Sequence, residues 1–389
     1  MKLAFIAPRF PEAGVVGGAE TLIRNLADHL GGQGNEVHFL TTCARDHHTW
    51  ENEIPPGEKP DGHLTVHFFP VNEDRDVSVF LRLQEQVSSG KDVSPSDQAR
   101  WMRESVNSRA LEAWLKAEGA SYDAIIAGPY LYGITYHALQ VHPDRSWLLP
   151  CLHDEAFAYQ SVIRDLFHQV KGVLFNSEPE QALAERLYGL PHQKGAVVGM
   201  GLEPIKADAE AFAARHGITQ PYVLYAGRRE PLKGTPLLLD YVNTFRLNTQ
   251  RDIKLVLTGS GAIDIPRELE GHVIDVGFVS EQEKHEAMAG ARVFIHPSVN
   301  ESFGIVLLES WLAGTPALVH AKSEVLTFQC QQSGGGLWFR YYPEFEAMLL
   351  ALLDRKDLHG QLASAGNAYV RTSFTWPSVA ARFLAAVGT

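Results

Sequence analysis

YVLYAGRREPLKGT, residues 222–235, decides the fold. Five residues with no charge run into Gly227, two arginines and a lysine occupy a turn, and a helix-length stretch begins at about 234. Strand, tight turn and helix in that order open an α/β unit. The same alternation continues downstream through IKLVLTG (253–259), HVIDVG (272–277), ARVFIH (291–296), TPALVH (315–320) and GLWFR (336–340). Upstream it has already run once, through LAFIA (3–7), VHFL (37–40), LTVHFF (64–69), AIIA (124–127), WLLPCL (147–152) and GVLFN (172–176). Most of these runs are apolar throughout, as in strands of a parallel sheet covered on both faces. The pattern restarts, so the sequence predicts two doubly wound α/β domains, 1–203 and from 204 onward. The boundary falls in VGMGLEP, Val198–Pro204, where two glycines and a proline interrupt the periodicity. Segments 43–63 and 72–98 read as long loops, the second with at most a short helix.

Composition narrows the function classes. With 389 residues, 45% hydrophobic and 21% charged, the chain is globular rather than disordered. Its 34 basic and 46 acidic residues leave a net charge of −12, which disfavours nonspecific nucleic-acid binding. Cys43, Cys151 and Cys330 are too few and too far apart for a disulfide framework or a zinc site. No run approaches the ~20 apolar residues of a membrane helix. The first run is broken by Pro8, Arg9 and Pro11, so it reads as a strand rather than a secretory signal.

Three glycine features follow strands. GVVGGAE (14–20) precedes a helix, and its Gly17 and Gly18 allow backbone to approach an anion at the helix N-terminus; a simple tight turn explains it equally well. In AGRREPLKGT (226–235), Arg228 and Lys233 lie five residues apart beside a helix start, an arrangement that suits a diphosphate, or two solvated cations. In HPSVNESFGIVLLESWLAGTP (296–316), Glu301 and Glu309 form E-x7-E, and the N–H groups of Phe303, Gly304 and Ile305 are candidate helix-end donors. Asp74-Arg75-Asp76 has the spelling of a metal-binding D-x-D motif but lies in a polar stretch. Tyr130 and Tyr132, in AGPYLYG, suit stacking on an acceptor sugar or packing at a helix start.

Taken in order, GGAE, GRREPLKG, GFVSEQEKHEAM (277–288), HPSVNESFGIVLLESWLAGTP and the terminal SFTWPSVAARFLAAV resemble the retaining glycosyltransferases of family 4 over nearly the whole chain. That resemblance implies the GT-B fold: two Rossmann-like domains facing a central cleft, with a C-terminal helix, about 373–389, crossing back to the first. It implies an acceptor-side domain (1–203 plus that helix) and a donor-binding domain (204–372). It places the donor diphosphate on Arg228 and Lys233, the donor sugar on Glu301, the ribose on Glu309 and the base on the backbone of Gly277, Phe278 and Val279. Gly17 and Gly18 close over sugar and phosphates, and His153, in CLHDEAF, contacts the donor sugar. Arg228, Lys233, Glu301 and His153 are the residues expected to carry catalysis.

The implied reaction moves a sugar from a UDP-, GDP- or ADP-linked donor to a hydroxyl acceptor, such as a glycan in polysaccharide biosynthesis. It needs no metal or other cofactor, because cations and helix N-termini neutralise the leaving diphosphate. The leaving phosphate oxygen takes the acceptor proton in a front-side mechanism. A catalytically silent nucleotide-sugar-binding protein and a sugar-nucleotide epimerase on the same fold are the alternatives. Residues 1–200 carry 17 basic and 26 acidic residues. That excess forgoes attraction to anionic lipid, so a cytoplasmic enzyme with at most transient membrane contact is expected.

Overall fold

In a computed structural model the chain divides into two compact units, Met1–Met200 with Val379–Thr389, and Gly201–Ser378. The structure describes residues 1–11, 17–229 and 231–388.

In the first unit, β1 (Lys2–Ile6), β2 (Glu36–Thr42), β3 (Gly57–Asp61), β4 (Leu64–Phe69), β5 (Ala124–Ala127), β6 (Ser146–Leu148), β7 (Gly172–Phe175) and β8 (Gly195–Val197) form one sheet. Their order is β3-β4-β2-β1-β5-β6-β7-β8. Every pairing is parallel except β3 with β4. In the second unit, β9 (Tyr222–Ala226), β10 (Lys254–Thr258), β11 (Val273–Gly277), β12 (Val293–His296), β13 (Ala317–His320) and β14 (Gly336–Phe339) form an all-parallel sheet ordered β11-β10-β9-β12-β13-β14. The two doubly wound units expected from the apolar runs are therefore present. Helices cover the faces, and the central strands are buried from end to end: Leu3–Ile6, Ala124–Ala127, Val223–Tyr225 and Val293–Ile295. The last helix, Trp376–Val387, joins the first unit from Val379 onward. There the Phe383 ring stacks on Phe5 at 5.8 Å and Arg382 Nε donates to the Val198 carbonyl at 2.9 Å.

The two expected loops are corrected. Segment 43–63 contains β3, whose GEKPD side chains are almost all exposed; it is held by backbone pairing to β4 and by an Arg24–Asp61 ion pair at 2.8 Å. A lysine and a proline on such an edge strand discourage pairing with another chain. Segment 72–98 carries the helix Val77–Ser88, the connection after it and the first turn of a second helix, Pro95–Glu104. Asp76 caps the first by accepting from Val79 N–H at 3.0 Å, and Ser94 caps the second by accepting from Asp97 N–H at 3.2 Å.

A pH-sensitive contact joins β2 to β4. The His38 and His67 rings stack at 5.0 Å, and His38 Nδ1 lies 3.1 Å from His67 Nε2 and 2.8 Å from the Tyr122 hydroxyl. Burial pushes both imidazoles below their ordinary value, with Lys2 adding to the effect on His38 and His38 to that on His67. Glu36 and Glu58 oppose it. A histidine depressed in the folded state stabilises fully above its unfolded value near 6.5 and loses that contribution as pH falls. The urea midpoint should therefore drop between pH 7.5 and about 5.5, and the drop should be smaller in His67→Gln. An equal drop in the variant would assign the acid sensitivity elsewhere.

Candidate functional site

The strand order of the second sheet turns about between β9 and β12, and ligands bind at the C-terminal ends of such strands. Both ends carry predicted residues. After β9 the chain makes a short 3-10 turn, Pro231–Lys233, and enters the helix Thr235–Thr249 through Gly234 at φ 76°. A Cβ at Gly234 would lie 2.6 Å from the Pro297 carbonyl, so only glycine lets this turn approach the loop after β12. The approach brings Lys233 Nζ within 2.7 Å of Glu301 Oε1, and His296 Nε2 lies 3.4 Å from the same oxygen. Burial alone would push the Glu301 carboxyl up; His296 and Lys233 outweigh it and hold the group well below the usual carboxylate range. Lys233 and Glu301 keep 22% and 15% of their side-chain surface, enough for an incoming anion to compete for the ammonium.

Glu309 is engaged differently. It sits on the helix Ile305–Leu312, 7% exposed, and Lys284 Nζ lies 2.9 Å from its Oε2 and 2.7 Å from Glu281 Oε2. Burial would raise the Glu309 carboxyl, but Lys284 and His285 hold it low, while the two carboxylates raise Lys284. Among the described residues, Glu281, His285 and Glu309 have ligand atoms within 4.8 Å of one another, close enough to share a metal. The Lys284 ammonium already contacts both carboxylates and serves as their counter-charge. Lys284 was not singled out in the sequence, because nothing in the spacing ties it to a carboxylate 25 residues on.

The paired arginines divide. Arg228 is exposed, and its carbonyl accepts from the Tyr225 hydroxyl at 2.5 Å. Arg229, its side chain 9% exposed, bonds through Nη1 to Asp275 and through its backbone N–H to the Ser260 carbonyl at 2.7 Å. The second arginine thus fastens the turn to the neighbouring strand ends, leaving the first outward. Asp275 also accepts from Gly277 N–H at 2.9 Å. Beyond it Phe278 is 66% exposed and Val279 half-buried. Phe303 is buried with its ring 5.3 Å from Phe374, so only its backbone is available. Gly304, at φ 80°, is the N-cap that places Ile305 first in its helix, where N–H groups have no intrahelical partner. Glu230 of the GRREPLKG motif lies outside the described residues.

In the first unit Gly17 caps the helix Gly18–Gly32, and its N–H donates to Glu20 Oε2 at 3.2 Å. Glu20 and Arg9, both buried, make a two-bond pair of 3.0 and 2.8 Å. Gly14, Val15 and Val16 of the glycine loop lie outside the described residues. His153 is half-buried in the turn after β6, its Nδ1 3.9 Å from Glu155 Oε1. Glu180 secures that turn: its oxygens accept from Leu152 and Asn176 N–H, each at 2.5 Å. Burial pushes the Glu180 carboxyl up to about 8 against those donors. Tyr130 is corrected as a stacking candidate. It is 0% exposed, packed in the core with its hydroxyl donating to Glu155 at 2.9 Å, so no ring face is open to a sugar. Tyr132 is half-buried, edge-on to Trp50 at 5.7 Å.

Among the described residues no helix is long and apolar enough to cross a membrane. Residues 208–362 match the family described as glycosyl transferases group 1. The phosphatidyl-myo-inositol mannosyltransferase of Mycobacterium tuberculosis is 30% identical over 58% of this chain and 61% of its own length. This chain therefore spans about three fifths of the length of these mannosyltransferases. The D-inositol 3-phosphate glycosyltransferase of Stackebrandtia nassauensis is 26% identical over 97% of this chain and 88% of its own. Anabaena HepE, solved in complex with UDP and glucose, superposes over 100% of both chains with a TM-score of 0.70 at 17% identity, a likeness of fold. The second unit is a group 1 glycosyltransferase domain, and the chain built around it has the two-unit GT-B fold.

Proposed function

We propose that the protein is a retaining glycosyltransferase that moves a sugar from a nucleoside-diphosphate sugar to a hydroxyl acceptor without a metal. The observation that carries this is the Lys233–Glu301–His296 cluster at the β9/β12 switch point, flanked by the starts of the helices Thr235–Thr249 and Ile305–Leu312. On this reading the diphosphate takes Lys233 from Glu301 and adds Arg228. The two helix starts offer N–H donors to the charge that grows as the glycosidic bond breaks. Glu301, released from the lysine, accepts from donor sugar hydroxyls, and Glu309 accepts from the ribose. The relatives' names, mannosyltransferase and glycosyltransferase, and the UDP in the Anabaena structure support a nucleotide-sugar donor.

The test is a thermal-shift panel of UDP, GDP, ADP and NAD. A ligand at 100 times its Kd stabilises by about 2.7 kcal/mol, so one diphosphate should raise the melting temperature by several degrees. Stabilisation by NAD alone would overturn the reading. Once a donor is found, the product should keep its anomeric configuration by NMR, with turnover undiminished in EDTA. An inverted linkage, or activity abolished by the chelator and restored by a metal, would reject the mechanism.

A further inference from the structure

Asp74-Arg75-Asp76 ends in the first unit as something other than a metal motif. Asp74 is engaged by Arg109 at 2.6 Å. Asp76 caps a helix and lies 3.9 Å from Arg100. Neither aspartate takes Arg75, whose Nη1 is buried without a hydrogen-bond partner among the described residues. Arg75 lines a cavity of about 110 Å³ together with Trp50, Phe80, Gln84, Ser105 and Tyr132. No carboxylate is among the lining residues.

The polar groups there are donors. Gln84 Oε1 accepts from Trp101 Nε1 at 2.8 Å, which leaves the amide NH2 as its open end. Ser105 Oγ accepts from Gly133 N–H at 3.1 Å, which leaves its O–H to donate. The aromatic wall is held in an unusual backbone conformation: Trp50 has φ 56°, uncommon for so bulky a residue. It lies between the Arg9 guanidinium, 5.7 Å away, and the Tyr132 ring, also at 5.7 Å. A half-buried cation without a counter-ion is costly, and an anion that reaches it removes that cost. Drug-sized ligands fill roughly 300–1,000 Å³, so this cavity takes one end of a molecule, with aromatic faces for an adjoining ring.

We propose that this cavity binds the anionic group, phosphate or carboxylate, of a small polyhydroxylated ligand, with Arg75 as its ion partner and Gln84 and Ser105 as further donors. Identifying that ligand as the acceptor rests on the glycosyl-transfer reading; the anion site itself does not. The acceptor then carries its charge into an acidic half of the chain through Arg75, which neither flanking aspartate pairs.

Calorimetry with inorganic phosphate, glucose 6-phosphate, myo-inositol 1-phosphate and their unphosphorylated counterparts tests it, with UDP as an independent ligand. At least one phosphorylated probe should bind saturably and the uncharged sugars at least tenfold more weakly. Arg75→Gln should lose at least tenfold for that probe while UDP affinity stays unchanged and the melting temperature does not fall. If Arg75→Gln fails to fold, Ser105→Ala should weaken the same probe several-fold, and Arg75→Lys, which keeps the charge without the fork, should fall between. Co-sedimentation with phosphatidylinositol vesicles separates the sources. Arg75-dependent pelleting with weak binding of soluble phosphates identifies a lipid headgroup, and the reverse a free sugar phosphate. Binding of every phosphorylated probe unaffected by Arg75→Gln, or no binding of any probe or vesicle to the wild-type protein, overturns the proposal. Arg75-dependent phosphate binding with no binding of UDP, GDP or ADP would sink the glycosyl-transfer reading and leave the site standing.

Discussion

Lys233→Ala is expected to weaken nucleoside-diphosphate binding about 10–100-fold, and to cost fold stability as well. The affinity loss follows from one charge-assisted contact, worth about 1.5–3 kcal/mol, at 1.4 kcal/mol per tenfold. The stability loss comes from what stays behind. Glu301 would keep a largely buried carboxylate with only His296 3.4 Å away. Removing one partner of a fully buried pair costs about 3–5 kcal/mol; the 22% and 15% exposure of this pair places the cost below that. A second change separates the two effects. In Lys233→Ala/Glu301→Gln the stranded charge is gone, so the urea midpoint should recover while nucleotide affinity stays low. Recovery of affinity in the double variant would mean that Lys233 only neutralises Glu301 and does not touch phosphate.

The second large effect is expected at Gly259, where β10 ends. A Cβ there would stand 1.9 Å from the Gly227 carbonyl oxygen and 2.7 Å from its carbon, and the residue has φ 124°. Backbone cannot swing aside as a side-chain tip can. The neighbouring ends are tied together, Gly227 N–H donating to Thr258 at 3.0 Å and Gly259 N–H to Gly277 at 2.8 Å. Gly259→Ala should therefore push away the turn that carries Arg228 and Lys233. The expected loss is about 3 kcal/mol or more of stability and more than tenfold in nucleotide affinity. Gly271→Ala is the control: its φ is 75° but nothing lies within 4 Å of the added carbon. It should cost only the local backbone penalty, about 1–2 kcal/mol, and leave nucleotide binding intact. Equal losses in the two variants, by urea melt and calorimetry, would show that φ alone and not the close approach governs Gly259.

Local chemistry alone determined a good deal of this protein. The apolar runs located twelve of the strands, because a strand buried on both faces, as most of these are, is apolar at nearly every position. The helix-end N–H of Gly304, and the residue types of Lys233, Glu301 and Glu309, were legible because helix starts and charge leave a mark in a single segment; the close approach at Gly234 was not. The polar strand β3 left none, since most of its side chains face solvent and no apolar run marks it. The helices Val77–Ser88 and Pro95–Glu104 were also missed as such. Each buries only a few residues, Leu83 and Val87 in one and Gln98, Trp101 and Met102 in the other, and packing rather than periodicity stabilises them. Pairings lay beyond reach altogether. Lys233 meets Glu301 because β9 and β12 are neighbours in the sheet; Lys284 meets Glu309 across two helices; Arg229 rather than Arg228 takes Asp275. Which tyrosine of AGPYLYG is buried, and that neither flanking aspartate takes Arg75, are decided the same way. These are contacts between segments tens of residues apart, and the strand order that brings such segments together is a property of the packed sheet, not of any window of sequence.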